Sequence, residues 1–439
     1  MKRRAALPRY VPVDDLRECP PGHRFDLYCK LWDENWSLER DEKKAALKDC
    51  CGRLSKAARE LAAALRERQH LSLGSLPAAL EIPARSTGPF VTGLGLEHPT
   101  EIGFAFLAPY GLPYLPGSSV KGVVRRAMEE RILEGAEQGP DIAALWWLFG
   151  LDAVNGLLAG IEPDTADELF RLANSGPGLV ALAGSLGFGS NAEGSPGTRL
   201  VQALKCPRRR AQLRLRGCLS FFDVFPSLRG ERLEVDILTP HYTHYYQDAH
   251  PPHDAGQLNP LPFLVIGPGA EFKFYLSCDS GRLPEYLRER WRDWMVQAFE
   301  HAFNWLGFGA KGALGYGQMR LDRAALDELD QARAERERKA RRQDEVSLLP
   351  GDAAWLQLRA DEGCFADNNR LLGTLKPWLE EREALSPEAK TFLRDRVERT
   401  WPGILANPDA VRGKKKKPKF SASPVALAKR LLSLGVPPP

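Results

Sequence analysis

Apolar residues at Leu47, Cys51, Leu54, Ala58, Leu61 and Leu65 recur at alternating spacings of four and three. That is the period of one helix face, so the pattern predicts an amphipathic helix from about Asp41, with Gly52 inside it. From Phe90 to Phe106 the apolar positions are broken by Gly and Pro, which predicts short strands around a loop holding Glu97, His98 and Glu101. A turn from Tyr110 to Gly117 comes next. Val120, Val123, Val124, Ala127 and Met128 then mark the buried face of a helix running to about Leu133, with Ser118 and Ser119 where N-caps belong. Lys121 and Arg125, one turn apart, share its other face. Cys218 to Phe225 reads as a strand, and Glu271 to Cys278 more clearly so, because Phe272, Phe274, Leu276 and Cys278 alternate with polar positions. Leu287 to Leu306 carries a helical apolar stripe and ends in GFGAKGALGYG, Gly307 to Gly317, before a short strand-like QMRL.

The resulting order of strand, helix, strand, strand, helix, strand predicts an α+β domain of ferredoxin-like (RRM-like) type, with both helices on one face of an antiparallel sheet. Three regions follow. Residues 1–89 form an N-terminal region with the amphipathic helix, and residues 90–322 form the ferredoxin-like domain. Residues 323–439 form a charged linker, including Gln331 to Glu345, and a helical C-terminal extension with a tetralysine at Lys414 to Lys417. Within the middle region, about 146–216 reads as an insertion that ends in Arg208, Arg209, Arg210, Arg214 and Arg216.

Composition narrows the class. A hydrophobic fraction of 43% in 439 residues supports a sizeable core and excludes global disorder. With 39 Gly and 34 Pro the chain is rich in turns. No apolar run is long enough to span a bilayer, so a cytoplasmic protein without membrane association is expected. The eight cysteines include no CxxC pair, which argues against a zinc ribbon and against a disulfide framework. A net charge of +4 does not by itself require a polyanionic partner, and the placement of the cations has to decide.

Two segments carry that placement. In the first, Gly307, Gly309, Gly312, Gly315 and Gly317 surround Lys311. Such a loop either cradles phosphate on its backbone amides or simply caps a helix and turns. It follows its helix and lacks a GK[ST] ending, which disfavours mononucleotide binding. In the second, LPGSSVKGVVR, hydroxyls, a helix N-terminus and two cations meet, and Lys121 in the first turn opposes the helix dipole and calls for an anion. His241, His244, His250 and His253 lie close together among Tyr242, Tyr245 and Tyr246. They read as an RNA-facing loop, as packing or, least favoured without cysteine, as a metal site. Metal-independent RNA cleavage would need an acid and base pair, for which His98 with Glu101 or the His241 loop are the candidates; nothing in their spacing requires it.

Together with the strand order, these segments resemble the RAMP superfamily of CRISPR effector subunits. More narrowly, Gly93 to Gly122, Gly217 to Pro226, Asp236 to Tyr246 and Gly307 to Gly317 are similar to the family of the sixth Cmr subunit of type III-B systems. The resemblance covers roughly residues 90 to 320. It implies a non-catalytic subunit that binds crRNA and target RNA without cofactor or metal, toward the crRNA 3′ end, in antiviral defence. Implied protein partners are the repeated backbone RAMP subunit, the first Cmr subunit and the small helical subunit. Implied RNA contacts are Ser118, Ser119, Lys121 and Arg125 at the helix start, and Lys311 with Gly307, Gly309, Gly312, Gly315 and Gly317 in the terminal loop. His241 and Tyr242 join them from the aromatic segment. The resemblance matches no residue here to the target-cleaving aspartate of the backbone subunit; the alternative is an endoribonuclease acting on guide precursor or target.

Overall fold

The computed structural model describes residues 3–8, 10–11, 16, 18–38, 40–76, 78–135, 139–151, 177–188, 195–239, 260–412 and 417–439. Two compact units divide the chain, Met1–Asp327 and Glu328–Pro439.

The first unit is built on β1 (Ala79–Ser86), α1 (Gly117–Leu133), β2 (Leu219–Phe221), β3 (Glu271–Cys278), α2 (Trp291–His301) and β4 (Met319–Leu321). The sheet order is β4-β1-β3-β2, and every pair is antiparallel. Alternation decides which face is buried. Leu80, Ile82 and Ala84 of β1 stand opposite Leu276, Phe274 and Phe272 of β3, and all six are buried. Phe274 packs at 5.3 Å from Phe299, 5.4 Å from Phe303 and 4.8 Å from Phe308, which brings α2 and the chain after it onto that face. α1 runs antiparallel to α2, joined by Arg131 Nη2 donating to Gln297 Oε1 at 2.6 Å and by His301 Nε2 and Glu130 Oε2 at 2.8 Å. On the other face, Glu81 and Tyr275 meet His70 of the helix Lys56–Gly74, and Lys273 pairs with Glu81 at 3.3 Å. His70 Nδ1 is 3.2 Å from both the Glu81 carboxylate and the Tyr275 hydroxyl.

Three expectations shift. The first strand lies at Ala79–Ser86, upstream of the range expected for it and before the boundary drawn at residue 90. Pro83 disguises it, since proline reads as a strand breaker. Pro83 is tolerated because its carbonyl faces the β4 side, accepting from Asp322 N–H at 2.9 Å just past the end of β4, so its missing donor costs no bond to β3. The N-terminal apolar stripe is buried except for the half-buried Leu61, but over two helices. Arg40–Cys50 and Lys56–Gly74 are separated at Gly52, and Ser55 caps the second through Ala58 N–H at 3.1 Å. The segment from Phe90 to Phe106 is mostly irregular: Phe106–Leu107 pairs with Leu112–Pro113, and Phe90 bridges Ile266.

The region expected as an insertion begins inside the core. All eight residues of the helix Ile142–Phe149 are buried, and Leu179, Leu182, Leu200 and Leu204 from two later helices join the same core. Gly150–Leu151 pairs with Leu215–Arg216, closing the two ends of the segment on each other. Residues 152–176 and 189–194 lie outside the described residues.

The second unit is helical. Gly351–Asp361, Asn368–Glu380, Pro387–Thr400 and Ala422–Ser433 bury Leu356, Leu375, Leu393, Val397 and Leu431 in a core of their own. Trp355 and Trp378 stack at 4.7 Å, with Arg359 over the Trp355 ring and Arg382 over the Trp378 ring. The charged segment forms the exposed helix Arg323–Ser347. Of the tetralysine, only Lys417 falls within the described residues. This unit carries 22 Lys and Arg against 17 Asp and Glu, leaving 39 against 40 in the first. The basic excess therefore belongs to the C-terminal unit, and the first unit is close to neutral.

Candidate nucleic-acid interface

Asp223 caps α1. Its Oδ1 accepts the Gly117 N–H at 2.7 Å, Pro116 occupies the N-cap position, and Leu115 bridges Val224. Ser118 and Ser119, expected as N-caps, stand instead in the first turn with exposed side chains. A carboxylate thus already sits at the positive end of the helix, so the dipole there is partly answered from within the chain. Lys121 is half-buried, and burial, with Arg125 adding to it, pushes its pKa below that of an ordinary lysine. An anion beside it would reverse that shift. Arg125 is differently placed: its Nε is 3.0 Å from Glu129 Oε1, and the two side chains are only 16% and 10% exposed. The paired, largely enclosed guanidinium is a structural group first and an open phosphate ligand second.

The glycine-rich loop is sewn to the chain after β1. Gly317 N–H donates to Pro89 O at 2.7 Å, Ala310 N–H to Val91 O at 2.8 Å and Phe308 N–H to Gly317 O at 3.0 Å. A Cβ on Gly309 would collide with the Val91 carbonyl oxygen, and one on Gly317 with that of Phe308. These two glycines are required by the protein's own backbone contacts, both with positive φ. Lys311 itself is left-handed, with φ 62°. Its ammonium lies 5.0 Å from the Phe263 ring centroid and 5.8 Å from that of Tyr316, whose hydroxyl donates to Asp236 Oδ2 at 2.5 Å.

The fold brings both segments to one end of the sheet. Ser86 pairs with Met319 where β1 leaves the sheet and β4 enters it, and the loop hangs from that corner. Because α1 and α2 are antiparallel and level at Glu130 and His301, the start of α1 extends to the end where α2 stops. Nine residues of α1 carry Lys121 about 13 Å beyond Glu130 in that direction. The hairpin Glu234–Leu238 with Leu261–Val265 supplies Asp236 and Phe263 to the same corner. His241 and Tyr242 follow its first strand and lie outside the described residues.

His98 and Glu101, weighed as a catalytic pair, are engaged elsewhere. His98 Nδ1 is 2.7 Å from Thr100 Oγ1 and Nε2 is 3.1 Å from Phe25 O, and the ring stacks on Phe25 at 3.8 Å. Burial pushes its pKa below the ordinary histidine value. Glu101 accepts from Lys43 Nζ at 2.6 Å. All eight cysteines are free thiols, five of them buried. Among the described residues, no group of three or more His, Cys, Asp or Glu is placed to hold a metal ion.

Two residues at this corner escape the motif reading. Trp305 is 75% exposed and Leu314 is 69% exposed. The legible signal for Trp305 is its position: the buried stripe of α2 and its continuation runs through Trp291, Trp294, Met295, Ala298, Phe299, Ala302 and Phe303, and an indole off that stripe has no place in the core.

Residues 84–320 match the RAMP superfamily, more than half of the chain. Over 237 residues the chain is 27% identical to CRISPR system Cmr subunit Cmr6 of Pyrococcus furiosus, an alignment covering 52% of this chain and 64% of that protein. The chain thus spans somewhat under two thirds of that relative's length. Among solved structures it is similar to a chain of the type III-B Cmr-beta assembly bound to cognate target RNA, with TM-score 0.37, 16% identity and coverage of 64% and 70%. It is also similar to Cmr6 from Pyrococcus furiosus, with TM-score 0.28, 24% identity and coverage of 55% and 97%.

Proposed function

This chain belongs to the RAMP superfamily, and we propose on that footing that it is a non-catalytic RNA-binding and assembly subunit of a type III-B Cmr effector. It would take the sixth-subunit place toward the crRNA 3′ end and act in the cytoplasm; no helix among the described residues is long and apolar enough to cross a membrane. Its partners would be crRNA, target RNA, the backbone RAMP subunit, the first Cmr subunit and the small helical subunit. We infer a ferredoxin-like domain, because the sheet order and the paired helices follow the split βαβ plan.

The observation that carries this reading is that the family match spans both residues 115–125 and 307–317, which the fold brings to one end of one sheet. Lys121 and Lys311 would contact the backbone of the strand, leaving sequence to be read by base pairing. Arg125 would contribute field more than contact, given its pairing with Glu129. A non-catalytic role is supported by His98, whose two ring nitrogens both have partners within the chain.

The test is titration of the purified full chain with a labelled single-stranded guide RNA at several salt concentrations, together with co-expression of the other Cmr subunits. The proposal expects salt-dependent binding without cleavage, and co-purification with the effector. Specific cleavage of the guide or target by the isolated chain would overturn it in favour of an endoribonuclease.

A further inference from the structure

We propose that the indole of Trp305 is a stacking platform for one base of single-stranded RNA, with the bare backbone of α1 at Gly122 as the shelf beside it. The proposal rests on the RNA-binding reading above. Trp305 occupies the π-helical turn Ala302–Leu306 that extends α2, closed by Gly307 N–H donating to Ala302 O at 2.8 Å. Every other tryptophan and phenylalanine of α2 and this turn is buried.

Its neighbours follow from the helix pair. His301 and Glu130 are in contact at 2.8 Å, and the helices are antiparallel. One turn onward from His301 is Trp305, and one turn back from Glu130 is Arg126, so these two are level. Another turn back stands Gly122, then Ser119 on the same face. Arg126 is 58% exposed, with its Nε 2.9 Å from Glu130 Oε1. At Gly122 an added Cβ would meet nothing within 4 Å. Glycine inside a helix is less stable than alanine, and no atom of the described residues makes use of the room it leaves. That room faces outward, one helical turn beyond the level of the indole.

On the opposite side, the turn Gly312–Leu314 abuts the end of the π-helical turn. A Cβ on Gly312 would lie 2.5 Å from Leu306 O. This turn carries Leu314, itself 69% exposed. A base on the indole would therefore have an apolar edge at Leu314, and the phosphate following it would find the Ser119 hydroxyl, the first-turn backbone and the Arg126 guanidinium.

Charge selects the occupant. Arg126 stands level with the indole and Lys311 lies in the loop that abuts its turn, while the nearby Glu130 is engaged by both Arg126 and His301. Among the described residues, the large exposed apolar side chains of this turn and of the loop after it are Trp305 and Leu314, too small a pair for the core of a protein interface but sufficient for one nucleobase.

The test uses the full chain and a labelled single-stranded oligouridylate, titrated by anisotropy across a salt series. Trp305→Ala is expected to weaken binding about 5- to 150-fold, the range for loss of one base stack, with the salt slope unchanged because no phosphate contact is lost. Trp305→Phe should keep most of the affinity. Gly122→Ala should raise the melting temperature of the free protein while lowering RNA affinity. If Trp305→Ala binds as tightly as wild type, the platform is overturned, and if that variant also fails to co-purify with the other effector subunits, the indole is a protein contact instead. If wild type itself binds no RNA, the RNA-binding reading falls as well, so the two failures are told apart by the wild-type titration.

Discussion

The ammonium of Lys311 stands 5.0 Å from the centroid of the Phe263 ring, so the single cation of the glycine-rich loop is held by an aromatic face of its own chain. Stability and binding can be separated at this residue, because Lys311 also carries a left-handed backbone that glycine adopts freely. Lys311→Ala should destabilise the protein by about 0.5–1 kcal/mol through loss of the cation–π contact. Lys311→Gly should be more stable than Lys311→Ala by about 1 kcal/mol, since it relieves the left-handed conformation. Both should lose RNA affinity equally and reduce the salt slope by about 0.7. Denaturant melts beside binding titrations check this; unequal RNA losses would show that loop conformation, and not the ammonium, drives binding.

Lys121 and Arg125, one turn apart, should behave oppositely. Lys121→Ala is expected to leave the fold intact and lower the salt slope by about 0.7. Arg125→Ala should cost about 2–4 kcal/mol of stability, because it strands the Glu129 carboxylate in an enclosed site. The double replacement Arg125→Met with Glu129→Leu should recover most of that loss. Thermal melts decide the point, and an Arg125→Ala protein as stable as wild type would remove the structural role.

Gly309 and Gly317 should tolerate no side chain. Gly317→Ala forces a methyl against the Phe308 carbonyl and is expected to disrupt the loop, whereas a methyl at Gly315 would meet only the Gln318 side chain, at 3.9 Å, and should cost only the left-handed backbone, about 1 kcal/mol. A melt of the three alanine variants that ranked Gly315 as the most damaging would contradict the backbone contacts.

His98 predicts a pH dependence. Burial lowers its pKa in the folded state, so the unfolded chain binds the proton more readily. Stability from this group is therefore complete above about pH 6.5 and declines as pH falls from there through the folded-state pKa. Between about pH 7.5 and about pH 5.5, wild type should lose more stability than His98→Gln, which cannot take up a proton. Equal losses would assign the acid sensitivity to other groups.

The C-terminal unit should fold alone. Its core is closed by Leu356, Leu375, Leu393 and Leu431, so residues 328–439 expressed separately should unfold cooperatively, and a chain ending at Asp327 should do the same. Broad, non-cooperative melting of either piece would mean that the division is misplaced.

The sequence patterns legible here were those that a single element settles by itself. β3 could be read because its alternation separates one buried face from one polar face. β1 could not, because Pro83 interrupts an otherwise regular strand, and only the end of β4 beside it makes that proline harmless. The cap of α1 was unreadable for a related reason: Asp223 supplies it from 106 residues away, while two serines stand beside it as decoys. Within α1 the Arg125–Glu129 pair was available at i,i+4 spacing, and so was the cost of treating Arg125 as free. In the glycine-rich segment both open alternatives have substance. Gly309 and Gly317 answer to backbone crowding, and Lys311 alone retains a charge that a ligand could use.

The short pairing of Gly150–Leu151 with Leu215–Arg216 works as a clasp. Chain added or removed beyond it leaves β2 and α1 where they are, at an entropic cost that grows only logarithmically with length. What any replacement must still provide is an oily underside in place of Leu179, Leu182 and Leu200. A substitute stretch that supplied such an underside would be expected to leave the sheet behind it in place.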